Sequence, residues 1–279
     1  MEQTFEFSAH GLTHRGNKRE VNADHFLVAQ IHRSLRIVES SINLDKPEGI
    51  EVGPGGHLLI VADGVGGGSG EEASELAVER MLKYISGAMQ FSRTDISLEQ
   101  DLLKEFTAAI CASHERLVEE SEAGATPRTM ATTLTMVYVL GLRAYVGHVG
   151  DSRCYLVREG NATRITKDQT YAQMLIDQGL LSETKARGSR LSHVLSSAVG
   201  GKEDAQPSVL TYVLTLRKED ILILCTDGLT KHVTDQEIGS MVAGDVGTSE
   251  ACNRFLDTAL QRGGSDNVTV IVGRFAASR

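Results

Sequence analysis

The chain has no tryptophan, only four prolines in 279 residues, and 5% aromatic side chains in all. With so little proline, and no stretch rich in serine or in charge, nothing marks a linker, so a single domain is expected over residues 1–279. The four cysteines, at 111, 154, 225 and 252, never approach Cys-x-x-Cys spacing. Scattered thiols in a chain of this length fit a reducing compartment better than a disulfide framework. A basic block is missing too: 28 Lys and Arg face 37 Asp and Glu, for a formal net charge of -9. Nucleic acid is therefore not expected as a partner. No apolar run reaches membrane-spanning length, and the first thirty residues lack a basic start followed by an apolar core. The expectation is a cytoplasmic protein without a membrane partner, whose 41% hydrophobic content suffices for a sizeable core.

The most informative stretch runs from Leu58 to Ser74. An apolar strand-like run ends on Asp63, passes through the glycine-rich turn Gly64-Val65-Gly66-Gly67-Gly68, and opens into a helical pattern of Ala73, Leu76, Ala77, Met81, Leu82 and Ile85. Neither nucleotide-binding glycine motif is satisfied, since the Rossmann spacing is absent and no Gly-Lys-Ser/Thr follows. A carboxylate also repels phosphate unless a cation lies between them. Aspartate and a backbone carbonyl are the hard oxygen ligands that magnesium or manganese takes, so Asp63 and Gly64 read as a metal site or, more plainly, as a helix-capping turn. Other acids have to decide between the two.

Along the chain, residues 4 to 14 and His25 to Ile31 alternate as strands, with Arg19 and Asp24 in the segment that joins them. Residues 32–57 read as a hairpin tip or insertion. Helical patterns follow over 71–86 and from Leu98 to Val118, the latter with Asp95 or Ser97 as a candidate cap. Thr129 to Leu140, Arg143 to Val149 and Cys154 to Val157 are expected to form an antiparallel meander interrupted by Gly150-Asp151-Ser152. His148, a lone histidine in a strand, is expected to be structural. Residues 166–206 change character, with a helix over 168–179 and a shorter one from Leu181, and suggest a flap. Strands over 209–216, 220–225 and 268–275 and helices over 235–243 and 248–261 complete the chain.

Four strand termini thus carry an aspartate beside glycine or one residue from it: Asp63, Asp151, Asp227 and Asp266, with Asp24 as a fifth acid. One such residue is ordinary. Several gathered at one sheet edge would repel one another unless cations bind there. Two divalent ions about 3.5 to 4 Å apart are a recurring solution for phosphoester hydrolysis, because they supply hydroxide near neutral pH and neutralise phosphoryl charge. No Ser-His-Asp order, Gly-x-Ser-x-Gly elbow or Cys-x5-Arg loop offers a competing nucleophile.

The ordered set Arg19-x-x-Asn22-x-Asp24, Val61-Ala62-Asp63-Gly64-Val65-Gly66-Gly67, Ala131-Thr132-Thr133-Leu134, His148-Val149-Gly150-Asp151-Ser152-Arg153, Thr226-Asp227-Gly228-Leu229-Thr230 and Gly264-Ser265-Asp266-Asn267 resembles the metal-dependent Ser/Thr protein phosphatases, the PPM or type 2C family, in a bacterial form. The resemblance spans residues 7 to 275. It implies an α+β fold, a four-layer sandwich of two antiparallel β-sheets flanked by helix pairs, with 166–206 as a helical flap. It also implies hydrolysis of phosphoserine and phosphothreonine in proteins by a hydroxide bound to two metals, Mn2+ or Mg2+, with a third, weaker ion.

Carried over residue by residue, the resemblance makes Asp63 the bridge between the metals and gives the Gly64 carbonyl to one of them. Asp227 and Asp266 would complete the other, Asp24 would hold metal-bound waters, Arg19 would bind the substrate phosphate, and Asp151 would help hold the third ion with Asp227. The implied partners are a phosphorylated protein and a cognate Ser/Thr kinase or its targets, with the chain acting as a monomer. The histidine that some members use as general acid has no counterpart at Val65 or Gly68, which leaves protonation of the leaving group to water. A scaffold that binds phosphoprotein without turnover is the competing reading, and the presence of every expected aspartate speaks against it.

Overall fold

The structure, a computed structural model, describes residues 5–31, 35–41, 56–66, 68–88, 98–123, 129–186, 189–201 and 205–277. In chain order its elements begin with β1 (Phe5–His14), β2 (Asp24–Ile31), β3 (Leu35–Ser40), β4 (Gly56–Val65), α1 (Gly70–Ala88) and α2 (Leu98–Glu122). Then come β5 (Ala131–Thr132), β6 (Leu134–Leu140), β7 (Arg143–Val149), β8 (Arg153–Arg158), β9 (Asn161–Arg164), α3 (Tyr171–Asp177), α4 (Glu183–Ala186) and a 3-10 turn over Arg190–His193. The remainder is β10 (Val199–Gly200), β11 (Leu210–Thr215), β12 (Ile221–Cys225), α5 (Asp227–Thr230), α6 (Asp235–Met241), α7 (Thr248–Gln261) and β13 (Val268–Ala277).

Two antiparallel sheets stack face to face. One has the order β1-β13-β12-β8-β9; the other is built on β4, β6, β7 and β11, with β2 and β3 on the far side of β4 and the short β5 and β10 beside its end. Strand periodicity explains the layering. Leu58, Ile60 and Ala62 of β4 and Leu134, Met136 and Tyr138 of β6 pack toward α1 and α2, while Leu59, Val61, Val137 and Val139 pack toward the other sheet. In β12, Ile221, Ile223 and Cys225 face α5, α6 and α7, whereas Leu222 and Leu224 face inward. Both faces of these strands are buried, so their sequences read as unbroken apolar runs rather than alternating ones. Ala73, Ala77, Val78, Met81 and Ile85 supply the matching stripe on α1, and Ala251, Cys252, Phe255 and Ala259 that on α7. This is the expected four-layer α+β sandwich.

The meander divides in a way that strand patterns alone did not indicate. β7 pairs with β6 and β11 in one sheet, but β8 crosses to the other and pairs with β12 and β9. The crossing is made at Gly150, whose φ of +108° suits glycine and where a Cβ would lie 2.6 Å from the Thr133 side chain. β4 also runs two residues beyond Asp63, because Gly64 and Val65 pair with Thr132 and Ala131 of β5. The sequence resolves α7 to its residue, whereas α3 begins at Tyr171, capped by Thr170, three residues later than its pattern suggests. Within the segment read as an insertion, 35–40 forms β3 against β2, while 42–55 lies outside the described residues, as do Asp95 and Ser97.

Candidate active site

The inward faces of β2 and β4 carry Phe26 and Val28, and Leu59 and Val61, into the layer between the sheets. Continuing the same alternation puts Asp24 and Asp63 on that face at the strand ends, directly opposite one another in register. Asp24 is 1% exposed. Its Oδ2 accepts hydrogen bonds of 2.8 Å from the hydroxyls of Thr269, on β13 of the opposing sheet, and Thr226, which follows β12 and stands at the N-cap of α5. Since Thr269 commits its proton to Asp24, the Thr13 hydroxyl 2.7 Å away donates to Thr269, and the Asn22 amide donates to Thr13 at 2.8 Å. The backbone at Asp63 is clamped by the two threonines of the Ala131–Leu134 motif. Its carbonyl accepts from the Thr132 hydroxyl and the Thr133 N–H, both at 2.9 Å, and its N–H donates to the Thr133 hydroxyl at 3.0 Å.

Asn267 ties the segment 15–23 to this edge. Its amide nitrogen donates to the carbonyls of Arg15 and Val21, and its oxygen accepts from the Ala23 N–H, each at 2.9 Å. The tied segment presents Arg19, whose Nε and Nη2 reach the two oxygens of Asp266 at 2.6 and 3.0 Å. Asp266 also receives the ammonium of Lys231 at 2.7 Å, and the same ammonium lies 2.6 Å from Asp227. Sequence reasoning missed Lys231. Its signal was the i,i+4 spacing from Asp227, which α5 turns into adjacency.

The electrostatics record crowding of like charge. Burial pushes Asp24 up to about 7; the Thr269 and Thr226 hydroxyls oppose the shift, and the charges of Asp227 and Asp266 add to it. Asp63 is held well above the usual carboxylate range by burial and then by Asp24, Asp227, Asp151 and Asp266. Asp151, 8% exposed, is pushed up to about 8 by burial, Asp227 and Asp168, against the pull of Lys231 and Arg153. Burial would raise Asp266 as well, but the hydrogen bonds from Arg19 and Lys231 outweigh it and hold its carboxyl below the usual value. Asp24, Asp63, Asp151, Asp227, Asp266 and Arg19 therefore share one electrostatic neighbourhood, with Gly64 next to Asp63 on β4.

The donor chemistry fits a divalent cation. Asp24 Oδ1 and Asp227 Oδ1 are buried without a hydrogen-bond partner, since Lys231 meets Asp227 only at Oδ2 and hydroxyls meet Asp24 only at Oδ2, and each leaves a lone pair that a cation can take. Among the described residues no three His, Cys, Asp or Glu side chains close around a single point. The candidate donors are all oxygen, from aspartates and the Gly64 carbonyl, which suits magnesium or manganese better than the nitrogen and sulfur ligands that zinc favours. Asp63 is followed by the required glycine: a Cβ on Gly64 would collide with the Gly70 carbonyl oxygen where α1 begins.

A cleft of about 820 Å³ leads away from the acids. Asp151, Asp227 and Lys231 form one end of its lining, Thr234 and Gln236 the body side, and Ala172, Gln173, Ile176, Glu183 and His193 the side contributed by the 166–206 segment. His148 takes no part. It is fully buried on β7, 2.9 Å from the Thr135 hydroxyl and 3.1 Å from the Lys167 carbonyl.

Comparison with known proteins gives consistent results. A family profile described as Protein phosphatase 2C matches residues 36–269. The serine/threonine protein phosphatase PstP of Mycobacterium tuberculosis is 34% identical over 223 residues, which is 78% of this chain and 40% of that protein. This chain thus spans 40% of the length of that relative. The serine/threonine phosphatase stp of Listeria welshimeri is 30% identical over 216 residues, 77% of this chain and 83% of the other. Among solved structures, the catalytic domain of PstP in complex with two manganese ions matches with a TM-score of 0.71 at 29% identity, over 98% of this chain and 100% of that one.

Proposed function

The chain belongs to the protein phosphatase 2C family, and from that premise we propose that it is a metal-dependent protein serine/threonine phosphatase acting on phosphoserine and phosphothreonine. Its cofactor is two divalent ions, Mn2+ or Mg2+, in line with the two manganese ions held by the PstP catalytic domain, with a third, weaker ion beside them. In this reading Asp63 would be shared by the two, the Gly64 carbonyl would serve one, and Asp227 and Asp266 would serve the other. Asp24 would hold water beside them, and Asp151 would join Asp227 at the weaker position. The observation that carries the reading is the pair of buried, unpartnered carboxylate oxygens on Asp24 and Asp227.

When bound, such ions neutralise phosphoryl charge and bring the pKa of a water toward neutrality. The protein's own residues position and select. The Thr226 and Thr269 hydroxyls fix Asp24 in one orientation. Arg19, with 57% of its side chain exposed, is oriented by Asp266 through Nε and Nη2 and leaves its Nη1–Nη2 edge for a phosphate. Residues 166–206 act as a flap that governs access to the cleft. The partner is a phosphorylated protein, either a cognate Ser/Thr kinase or its targets, and the protein works as a cytoplasmic monomer without nucleic acid or membrane. No helix among the described residues is long and apolar enough to cross a membrane.

Hydrolysis of a phosphothreonine peptide, measured with manganese, with EDTA and with Asp63→Asn, tests the assignment. Turnover that requires manganese and disappears in the variant is expected. Turnover that survives chelation, or that the variant retains, overturns it.

A further inference from the structure

Lys231 follows the last residue of α5 and is not a loose surface cation. Its side chain is 22% exposed, and those of its partners Asp227 and Asp266 are 18% and 17% exposed. One ammonium, 2.6 Å from Asp227 Oδ2 and 2.7 Å from Asp266 Oδ2, joins acids 39 positions apart in sequence that belong to α5 and to the segment before β13. Asp266 Oδ1 is held in turn by Arg19. Among the described residues no cation hydrogen-bonds the side chain of Asp24 or Asp63: the Thr226 and Thr269 hydroxyls hold Asp24, other acids act on both, and Arg19 reaches Asp63 only as a more distant charge. The acidic edge is thus neutralised on one side only.

A carboxylate oxygen committed to an ammonium cannot give the same lone pair to a divalent ion, and the two cations repel at so short a separation. We propose that Lys231 is a built-in counter-ion that competes with one divalent ion for Asp227 and Asp266, so that the two ion positions fill with unequal affinity. The inference rests on the metal roles of Asp227 and Asp266 given above. The position served by Asp63 and Gly64 meets no competitor and fills first. The other fills only as Lys231 turns away, and the adjoining cleft, which Lys231 already lines, gives its chain room to do so. Lys231 neutralises the two carboxylates it joins, so the residue that weakens the second ion also contributes to the stability of the fold.

The test is calorimetric titration of manganese into chelator-stripped wild type, Lys231→Met and Lys231→Arg, with thermal unfolding of each in EDTA and in excess manganese. Wild type should show one tighter and one weaker step. In Lys231→Met the weaker step should tighten by about tenfold or more, since two charge-assisted hydrogen bonds no longer have to break, while the tighter step stays put. The same variant should melt lower than wild type in EDTA and recover in manganese. Lys231→Arg should keep the weak step, and Lys231→Gln replaces the methionine variant if circular dichroism shows that it does not fold. An unchanged weak step in the folded Lys231→Met or Gln protein overturns the counter-ion role and leaves the metal reading standing. Absence of manganese binding in both wild type and variant overturns the metal reading itself.

Discussion

Asp24 and Asp63 face each other in register at the ends of β2 and β4, two like charges placed side by side on the inward face of one sheet. Directly opposed like charges destabilise a sheet; burial is what chiefly lifts both carboxyls above their ordinary range, and the charge of Asp24 adds to the shift of Asp63. The arrangement is a cost to the fold that a bound cation offsets. Stability and activity should therefore respond in opposite directions when one of the charges is removed.

Asp63→Asn makes this measurable. In EDTA the variant is expected to melt higher than wild type by about 2–4 °C, because relief of roughly 1 kcal/mol has that effect in a domain of this size. Phosphopeptide turnover should fall by about a thousandfold or more, as expected when charge stabilisation at the reacting group is lost. A variant that melts lower in EDTA would show that Asp63 is satisfied as it stands and that the crowding argument is wrong.

Asn267→Ala tests how the loop bearing Arg19 is held. The side chain is 7% exposed and makes three hydrogen bonds of 2.9 Å to backbone groups of Arg15, Val21 and Ala23. Removing it leaves three part-buried backbone groups without their partner, at a cost of about 1–3 kcal/mol in urea unfolding. Because Arg19 lies within the released segment and Asp24 directly follows it, KM for a phosphopeptide should rise as well. Loss of stability with unchanged kinetics would assign Asn267 to the fold alone.

How much of this was legible in the sequence depended on where the information resides. The acids announced themselves locally, since Asp63, Asp151, Asp227 and Asp266 each stand near glycine at a strand terminus. Helix α7 was readable to its boundaries because its apolar face repeats over fourteen residues. The transfer of the chain between sheets at Gly150 was not, because β7 and β8 look alike in composition and their partners, β11 and β12, are set by long-range pairing. Short elements such as β5, β10 and α5 carry too few residues for a period to emerge and take their form from what they pair with. Lys231 was hidden for a related reason. A lysine four residues after an aspartate is commonplace, and its meaning comes from Asp266, which only the folded chain brings to it.

Gly64→Ala separates the backbone requirement from the metal chemistry. The added methyl would run into the Gly70 carbonyl oxygen and lie 2.8 Å from that of Ala23, and both obstacles are backbone that cannot turn aside. A destabilisation of about 2–4 kcal/mol is expected, with loss of manganese binding as β4 is pushed off α1. If the alanine protein unfolds at the wild-type urea concentration, the close approach of β4 to the start of α1 is not as tight as described.

The pH dependence of stability should carry the mark of His148. The Lys167 carbonyl can only accept, so Nε2 bears the proton and Nδ1 is left to accept from the Thr135 hydroxyl. A second proton on the ring would abolish that acceptor in a fully buried setting. Burial accordingly pushes the pKa from 6.5 to about 4, and Arg164 acts in the same direction against the Lys167 and Gly150 carbonyls and the charge of Asp168. The unfolded chain takes up this proton near pH 6.5, well before the folded one does. The stabilising contribution is thus complete above about pH 6.5, declines as the pH falls, and is gone below about pH 4, amounting to at most about 3 kcal/mol. Other groups titrate over the same range, so the comparison has to be made against His148→Gln, which lacks only this one. Urea unfolding at about pH 7.5 and about pH 5 should show the gap between wild type and variant closing at the lower pH. A gap that stays constant would mean that His148 is not the buried neutral imidazole its two hydrogen bonds describe.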